Sequence, residues 1–270
     1  CIALFIATPH FLTVNNLINV GVQAATVAIL AFGMTFVIVT SGIDLSVGAV
    51  AALSAMVSAH FFVEAGWPGW ITLIAGLLTG FAAGAVSGIA TAYGKLPAFI
   101  STLAMMSIAR GATLVISQGS PMATADEVNW LGSNAGKFPI PILMMLLAGV
   151  LCWFILSRTV LGRSMYAIGG NEEAARLSGI PVKRVLVAVY ALSGLFAALA
   201  GLVMAGRLSS AQPQAGVGYE LDAIAAVVIG GASLAGGTGK ATGTLVGAIL
   251  LAVIRNGLNL LNVSSFWQQI

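Results

Sequence analysis

The sequence predicts an all-α, polytopic transmembrane helical bundle. Three observations carry that reading. First, 59% of the 270 residues are hydrophobic and only 7% are charged, with a mean hydropathy of +1.03, whereas soluble domains carry roughly 25% charged residues. A soluble fold of this size could not hide so much apolar surface from water. Second, the few charges punctuate the chain: no Asp, Glu, Lys or Arg precedes Asp44, and charge-free stretches run over 45–63, 65–94, 138–157 and 185–206, long enough for the roughly 20 residues of a bilayer helix. Third, none of these stretches alternates in the two-residue period of a membrane barrel, so their backbone groups must pair within helices.

Taken in order, the spans are expected over 1–8, 17–40, 46–62, 70–92, 98–117, 139–157, 184–205, 220–235 and 241–257, with a further one starting after Phe266. That makes about ten, and both terminal spans read as truncated, in a single membrane domain over 1–270. Orientation follows from the Lys/Arg bias of the loops. The longest polar loop, 158–184, carries Arg158, Arg163, Arg176, Lys183 and Arg184 and is placed in the cytoplasm. Lys95 and Lys240 then also fall inside, and Glu64, Asp126, Glu127, Glu220 and Asp222 outside. Lys137 and Arg207 are exceptions. Both termini come out cytoplasmic, and Trp67, Trp70 and Trp130 fall at the outer interface, where indoles prefer to lie.

Gly76, Gly80, Gly84 and Gly88 recur every four residues along one span, and Gly239, Gly243 and Gly247 repeat the pattern. Small residues at that spacing make a flat face for close helix packing. The alternative is a helix that slides during a conformational cycle. Two segments interrupt the helical pattern on the expected inner side: Thr40-Ser41-Gly42-Ile43-Asp44-Leu45-Ser46, and the glycine-rich run 230–240 with Ser233 near its start. Thr40, Ser41, Asp44, Ser46 and Ser233 are therefore candidates for a pathway or gate, since Gly-interrupted short segments often line one in transporters. Tight turns at the membrane surface are the plainer reading. Arg110 is read as the one charge inside a span, either paired with Glu220 or Asp222 on a neighbouring helix or reaching outward to water.

Within 158–184 the run Gly170-Asn171-Glu172-Glu173-Ala174-Ala175-Arg176-Leu177-Ser178-Gly179-Ile180-Pro181 predicts one short, doubly capped helix. Asn171 is a good N-cap, Glu172 and Glu173 suit the positive helix end, and Gly179 followed by Pro181 suits the stop. Ala174 and Leu177 share a face. A rigid, small-faced helix on the cytoplasmic side suits insertion into a groove of another protein; lying on the lipid headgroups is the other reading.

Several chemistries are absent. Gly239-Lys240 is followed by Ala241, and Leu234 stands where a phosphate-binding loop needs Gly. There is no dinucleotide fingerprint and no metal-ligand spacing, and no cofactor is expected. Cys152 reads as a small buried hydrophobe and forms no disulfide framework with Cys1. His10 and His60 both fall near the outer surface, away from any serine at mid-membrane depth, so no intramembrane hydrolase is expected. All eight acids map to loops or span ends, which argues against a proton- or sodium-driven carrier with a carboxylate at mid-membrane. Lys and Arg are scattered singly, so no nucleic acid partner is expected.

Thr40-Ser-Gly-Ile-Asp-Leu-Ser-Val-Gly48, Gly169-Gly-Asn-Glu-Glu-Ala-Ala-Arg-Leu-Ser-Gly-Ile180, Arg207-Leu-Ser-Ser-Ala-Gln-Pro213, Gly218-Tyr-Glu-Leu-Asp-Ala-Ile-Ala-Ala-Val-Val228 and Gly257-Leu-Asn-Leu-Leu-Asn-Val-Ser-Ser265 together resemble the monosaccharide (ribose-type) permease subunits of ABC importers. The resemblance spans nearly the whole chain and is less specific for the sugar than for the family. It implies a second permease copy, identical or a close paralogue, a pair of cytoplasmic ABC ATPases and a periplasmic sugar-binding protein. It further implies that Gly170, Asn171, Glu172, Ala174, Leu177, Ser178 and Gly179 belong to the helix that docks on the ATPase. The chain itself would be no enzyme. A stand-alone secondary carrier, or an ABC permease for a different small solute, is the alternative.

Overall fold

The computed structural model describes residues 8, 11–136, 138–264 and 267. The spans expected over 1–8 and after Phe266, and the sites of His10 and Lys137, lie outside or at the edge of these residues. Among the described residues the chain is a polytopic membrane bundle of eleven helices: α1 Val14–Val39, α2 Val47–Val63, α3 Gly69–Ala92, α4 Ala98–Ser117, α5 Asp126–Gly132, α6 Ile140–Arg158, α7 Val160–Gly170, α8 Glu172–Leu177, α9 Val182–Leu208, α10 Tyr219–Ile229 and α11 Ala241–Leu260. Six of them (α1, α3, α4, α6, α9 and α11) are long and apolar enough to cross a bilayer. Two further helices are shorter than these six: α2, with the 17 residues expected of its span, and α10, which has 11 and ends at Ile229 rather than 235.

The core is organised around α1 and α9. Most of α1 is buried on all sides, from Ala24 to Val39, as expected for a helix that is apolar all round and surrounded by others. The peripheral spans α3, α4 and α6 are less than half buried and present Leu78, Ile108 and Val150 outward. α3 runs antiparallel to α9 along its glycines. A Cβ on Gly80 would meet the Gly194 carbonyl, one on Gly84 the Tyr190 carbonyl, and one on Gly88 the backbone of Val187. Gly76 faces Ser54 of α2 and Leu202 of α9. Without a hydrophobic driving force between helices in lipid, such backbone-to-backbone approach supplies the van der Waals contact.

Polar side chains tie α1 to α11. Asn16 and Asn256 exchange amide hydrogen bonds of 2.9 Å in both directions, and the hydroxyls of Thr35 and Thr244 lie 2.8 Å apart. At the end of the bundle where α4 and α9 finish, β1 (Met122–Ala123) pairs antiparallel with β4 (Ser210–Ala211), and α5 packs beside them, with Gly132 against Gly206 and Arg207. A second two-residue ladder joins β2 (Asn134–Ala135) to β3 (Phe138–Pro139).

Candidate functional site

The segment 40–46 is a re-entrant turn inside the bundle, and here the structure corrects the sequence reading of a break at the membrane surface. Ser41 takes the left-handed region at φ 63°, and the chain then runs without regular structure and through a turn at 45–46 to the start of α2. Asp44 is 1% exposed. One carboxylate oxygen accepts the Ser46 N–H at 2.9 Å and the Ser46 hydroxyl at 2.6 Å; the other accepts the Ser193 hydroxyl at 2.8 Å. Ser193 lies near the middle of α9. So Asp44 lies in a loop at a span end, as expected of the acids, but that loop is buried in the bundle. Asp44 stands at the N-terminal end of α2, where the helix dipole favours a negative charge. Thr102 of α4 closes the same turn: its hydroxyl donates to the Ile43 carbonyl and accepts the Leu45 N–H, each at 3.2 Å. The irregular backbone is tolerated because it is buried in protein.

Arg110 lies on α4, and its partners differ from those expected. Its Nη1 donates to the carbonyls of Pro213 (3.0 Å) and Ala215 (2.9 Å). Glu220 makes no ion pair with it among the described residues, and Asp222 is engaged elsewhere, with Arg255. Charge is thereby spent on loop carbonyls, which have no local helical partner to satisfy them. The loop so held continues to Gly216, whose backbone abuts Gly48 in the first turn of α2. Arg110 thus anchors the loop that covers the helix start prepared by Asp44 and Ser46.

The second glycine-rich interruption, 230–240, packs directly on the first. Ser41 Oγ donates to the Ala235 carbonyl at 2.8 Å, and Gly237 donates its N–H to the Val39 carbonyl at 2.9 Å. Ser233 holds its own loop: its Oγ accepts the Ala235 N–H and its N–H bonds the Thr238 carbonyl. Gly236 and Gly237 take φ of 87° and 72°, a conformation glycine adopts without steric cost. Thr40 donates only to the Val37 carbonyl within α1.

The polar loop 158–184 holds the short helix expected over 170–181, as α8, and a second one, α7, before it. α7 ends at Gly169 and Gly170, and a Cβ on Gly169 would strike the Val39 carbonyl and the Gly237 nitrogen. Tyr166 of α7 donates its hydroxyl to the Gly239 carbonyl at 2.6 Å, and burial pushes its phenol up from the ordinary tyrosine value. Immediately after comes α8. Asn171 Oδ1 accepts the Ala174 N–H at 2.9 Å as an N-cap. At the other end Gly179, at φ 82°, donates to the Arg176 carbonyl while Ile180 donates to that of Ala175, the paired bonds of a Schellman stop. Ser178 adds a hydroxyl bond to the Ala174 carbonyl. Glu173 pairs with Arg176 on the solvent side, which holds its carboxyl below the usual range. Ala175 is buried against the bundle, whereas Ala174, Leu177 and Glu172 face outward, Leu177 with 78% of its surface exposed. One side of a six-residue helix is therefore fixed to the bundle and the other offers an unpaired leucine.

The sequence reading missed Arg255. It lies within α11, and its Nη2 donates to Asp222 Oδ1 of α10 at 2.6 Å. A charge-gap survey could have found it, because 241–257 is interrupted by this one charge. Among the described residues no cluster of His, Cys, Asp or Glu could hold a metal ion.

Three comparisons bear on this arrangement. The family model described as branched-chain amino acid transport system / permease component matches residues 16–270. The chain is 50% identical over 270 residues to a ribose import permease protein of Escherichia coli (strain K12), covering 97% of this chain and 84% of the relative. It is 47% identical over 273 residues to a ribose import permease protein of Bacillus subtilis (strain 168), covering 97% and 83%. It is 40% identical over 261 residues to a D-allose transport system permease protein of Escherichia coli (strain K12), covering 96% and 80%. No solved structure matches the chain.

Proposed function

The chain belongs to the family of branched-chain amino acid transport system / permease components, and from that premise we propose that it is the membrane-spanning permease subunit of a bacterial ATP-driven importer for a monosaccharide, ribose or a related pentose. The observation that carries this reading is the agreement over almost the whole chain with permeases named for ribose import in two distant bacteria. It is a multi-pass protein of the cytoplasmic (inner) membrane. Its 270 residues form one permease domain with about ten spans and both termini in the cytoplasm, where the Lys/Arg-rich loop 158–184 also lies.

The partners are two cytoplasmic ATPases, a periplasmic sugar-binding protein and a second permease copy. α8 is the docking element, with Ala174 and Leu177 entering an ATPase groove and Gly170, Asn171, Glu172, Ser178 and Gly179 defining its ends. Displacement of α8 acts through Gly169 on the Val39 carbonyl and Gly237, and so on both glycine-rich interruptions at once. Ser41, Asp44, Ser46 and Ser233 sit at that junction, with Thr40 at the end of α1. Arg110 holds the loop over the start of α2. The chain contributes two states of different stability, and a ligand or partner that binds one better shifts their population. ATP hydrolysis belongs to the partner.

A stand-alone secondary carrier has one observation in its favour, the buried carboxylate of Asp44. Against it, both carboxylate oxygens already accept hydrogen bonds, from Ser46 and Ser193, and the group stands just before the N-terminus of α2, which gives it a structural role. The two readings separate in proteoliposomes. Permease, ATPase and binding protein together should accumulate sugar on internal ATP. Permease alone should accumulate none on a proton or sodium gradient, and gradient-driven uptake by the chain alone would decide for the carrier.

A further inference from the structure

A continuous groove runs along the outer surface of the bundle between α6 and α11. Its deeper half is an apolar cavity of about 290 Å³, floored by Phe32 of α1. Gly149, bare of a side chain, lets α6 approach that ring, which a Cβ there would meet at 3.0 Å. The other half, about 370 Å³, opens at the end of the bundle that carries the loop 158–184, between Ser157 of α6, Tyr166 of α7 and Lys240. Trp153, Ala241 and Thr242 line both halves and join them. From Met145 to Ser157 the groove follows α6 for roughly 18 Å of helix, close to the roughly 15 Å of hydrocarbon in one leaflet. The two ends differ in charge. No charged side chain lines the deep half. At the shallow end stands Lys240, and the Arg158 guanidinium lies 5.6 Å from the centre of the Trp153 ring. Both cations are exposed and neither is in an ion pair among the described residues, whereas Arg176 and Arg255 have carboxylate partners. No acid stands in the wall of either half.

We infer that this groove is a binding site for one anionic phospholipid, with an acyl chain along α6 and the phosphate between Lys240 and Arg158. The leaflet is the cytoplasmic one, which rests on the orientation given above for the loop 158–184. Lipid tails are as apolar as the groove, so filling the deep half gains van der Waals contact and selects no particular lipid. Selection lies at the shallow end. A basic residue near the membrane surface favours an anionic headgroup about fivefold, and here two unpaired ones share one rim. Arg158 is held there by the face of an indole, a ring that itself prefers the interface. A protein helix is a poorer occupant. With its side chains it is about 10–12 Å across, so it could only lie over the mouth of the groove. Its apolar face would also leave both cations without a counter-charge.

The test uses the permease–ATPase complex in phosphatidylcholine nanodiscs. A small fixed fraction of phosphatidylglycerol carries a diazirine in its acyl chain, and peptide mass spectrometry locates the photo-crosslinks. They should concentrate around Val150 and Leu245, which line the deep half. Unlabelled phosphatidylglycerol should suppress them at a mole fraction about 25-fold lower than phosphatidylethanolamine does, about fivefold for each cation. Lys240→Gln and Arg158→Gln should each cut that preference about fivefold. Lys183→Gln, at an exposed lysine set over Tyr93 and outside the groove, should leave it unchanged. Thr242→Phe, at an exposed position, should fill the groove and lower its crosslinks severalfold while the complex keeps its composition. Crosslinks spread evenly over the outward faces of α3, α4 and α6, equal competition by the two lipids, or an unchanged preference in both glutamine variants would overturn the site. So would an unlabelled groove in which a photo-crosslinking residue at Thr242 joins to protein, since the groove would then be a packing surface. Labelling of Ser178→Cys from outside the cell would refute the leaflet. ATP-driven uptake by the complex with its binding protein is measured separately in proteoliposomes. Uptake without lipid preference sinks the lipid site alone, and lipid preference without uptake sinks the importer reading alone.

Discussion

Gly237 donates its backbone N–H to the Val39 carbonyl at 2.9 Å, and Gly169 lies so close to both that a single methyl group there would collide with each. Three segments remote in sequence therefore meet on bare backbone: the end of α1, the loop before α11 and the end of α7. Backbone contacts of this kind cannot be loosened by a rotamer change, so a movement of one segment is passed to the others.

Gly169→Ala should disturb this junction without unfolding the bundle. Overpacking of a tight contact costs typically about 1–3 kcal/mol, within what a membrane bundle of this size tolerates. The purified complex should keep its composition, while ATPase stimulation by loaded binding protein falls by about tenfold, the effect of roughly 1.4 kcal/mol on the balance of two states. Normal stimulation in Gly169→Ala would show that the junction transmits nothing.

Leu177→Asp should detach the ATPase. Leu177 is exposed in the isolated chain, so the substitution leaves the permease fold intact. In a docked groove the new carboxylate would be desolvated at a cost of several kcal/mol, about 2–7 for a polar group without a partner. Gly179→Val should act similarly by forcing a β-branched residue into the left-handed stop of α8. Co-purification of permease and ATPase is the measurement; wild-type yields of complex in both variants would place α8 on the lipid surface instead.

Orientation is open to a labelling experiment. Ser178 is exposed, whereas Ser164 is buried, so Ser178→Cys is the better reporter of the loop 158–184. An impermeant thiol reagent should fail to modify it in intact cells and succeed after permeabilisation. Rapid labelling from outside would invert the topology.

Arg110→Leu should destabilise the bundle locally. It orphans the carbonyls of Pro213 and Ala215, each costing about 1–3 kcal/mol when buried without a donor. Arg110→Lys should recover only part of this, because an ammonium is a compact point charge without the planar fork of a guanidinium. Thermal unfolding of the detergent-solubilised permease should rank wild type above Lys above Leu. Equal midpoints for wild type and Leu would mean that water satisfies the loop.

Gly84→Val tests the seam between α3 and α9. Its side chain would be driven into the Tyr190 carbonyl, forcing the helices apart along a contact built on small residues. Expression and thermal stability should both fall, whereas Gly111→Val, at a glycine with open space around its Cβ position, should leave them near wild type. Comparable stability of the two variants would remove the packing account.

The helical bundle was legible in the sequence because lipid imposes a local rule: each spanning segment must be apolar and must satisfy its own backbone. The caps of α8 were legible for the same reason, since Asn171 and Gly179 act on groups within four residues of themselves. Tertiary structure decided what depends on depth and on pairing between distant segments. Asp44 reads as a loop acid, yet the chain re-enters the bundle and brings it to Ser193, 149 residues away. Arg110 is bound by carbonyls of a loop more than 100 residues further on, and Asp222 by an arginine 33 residues ahead. A charge in a span announces that it needs a partner, because its desolvation must be offset, but the attraction is satisfied equally by a carboxylate or a pair of carbonyls. Which of them stands nearest is settled only when the helices have packed.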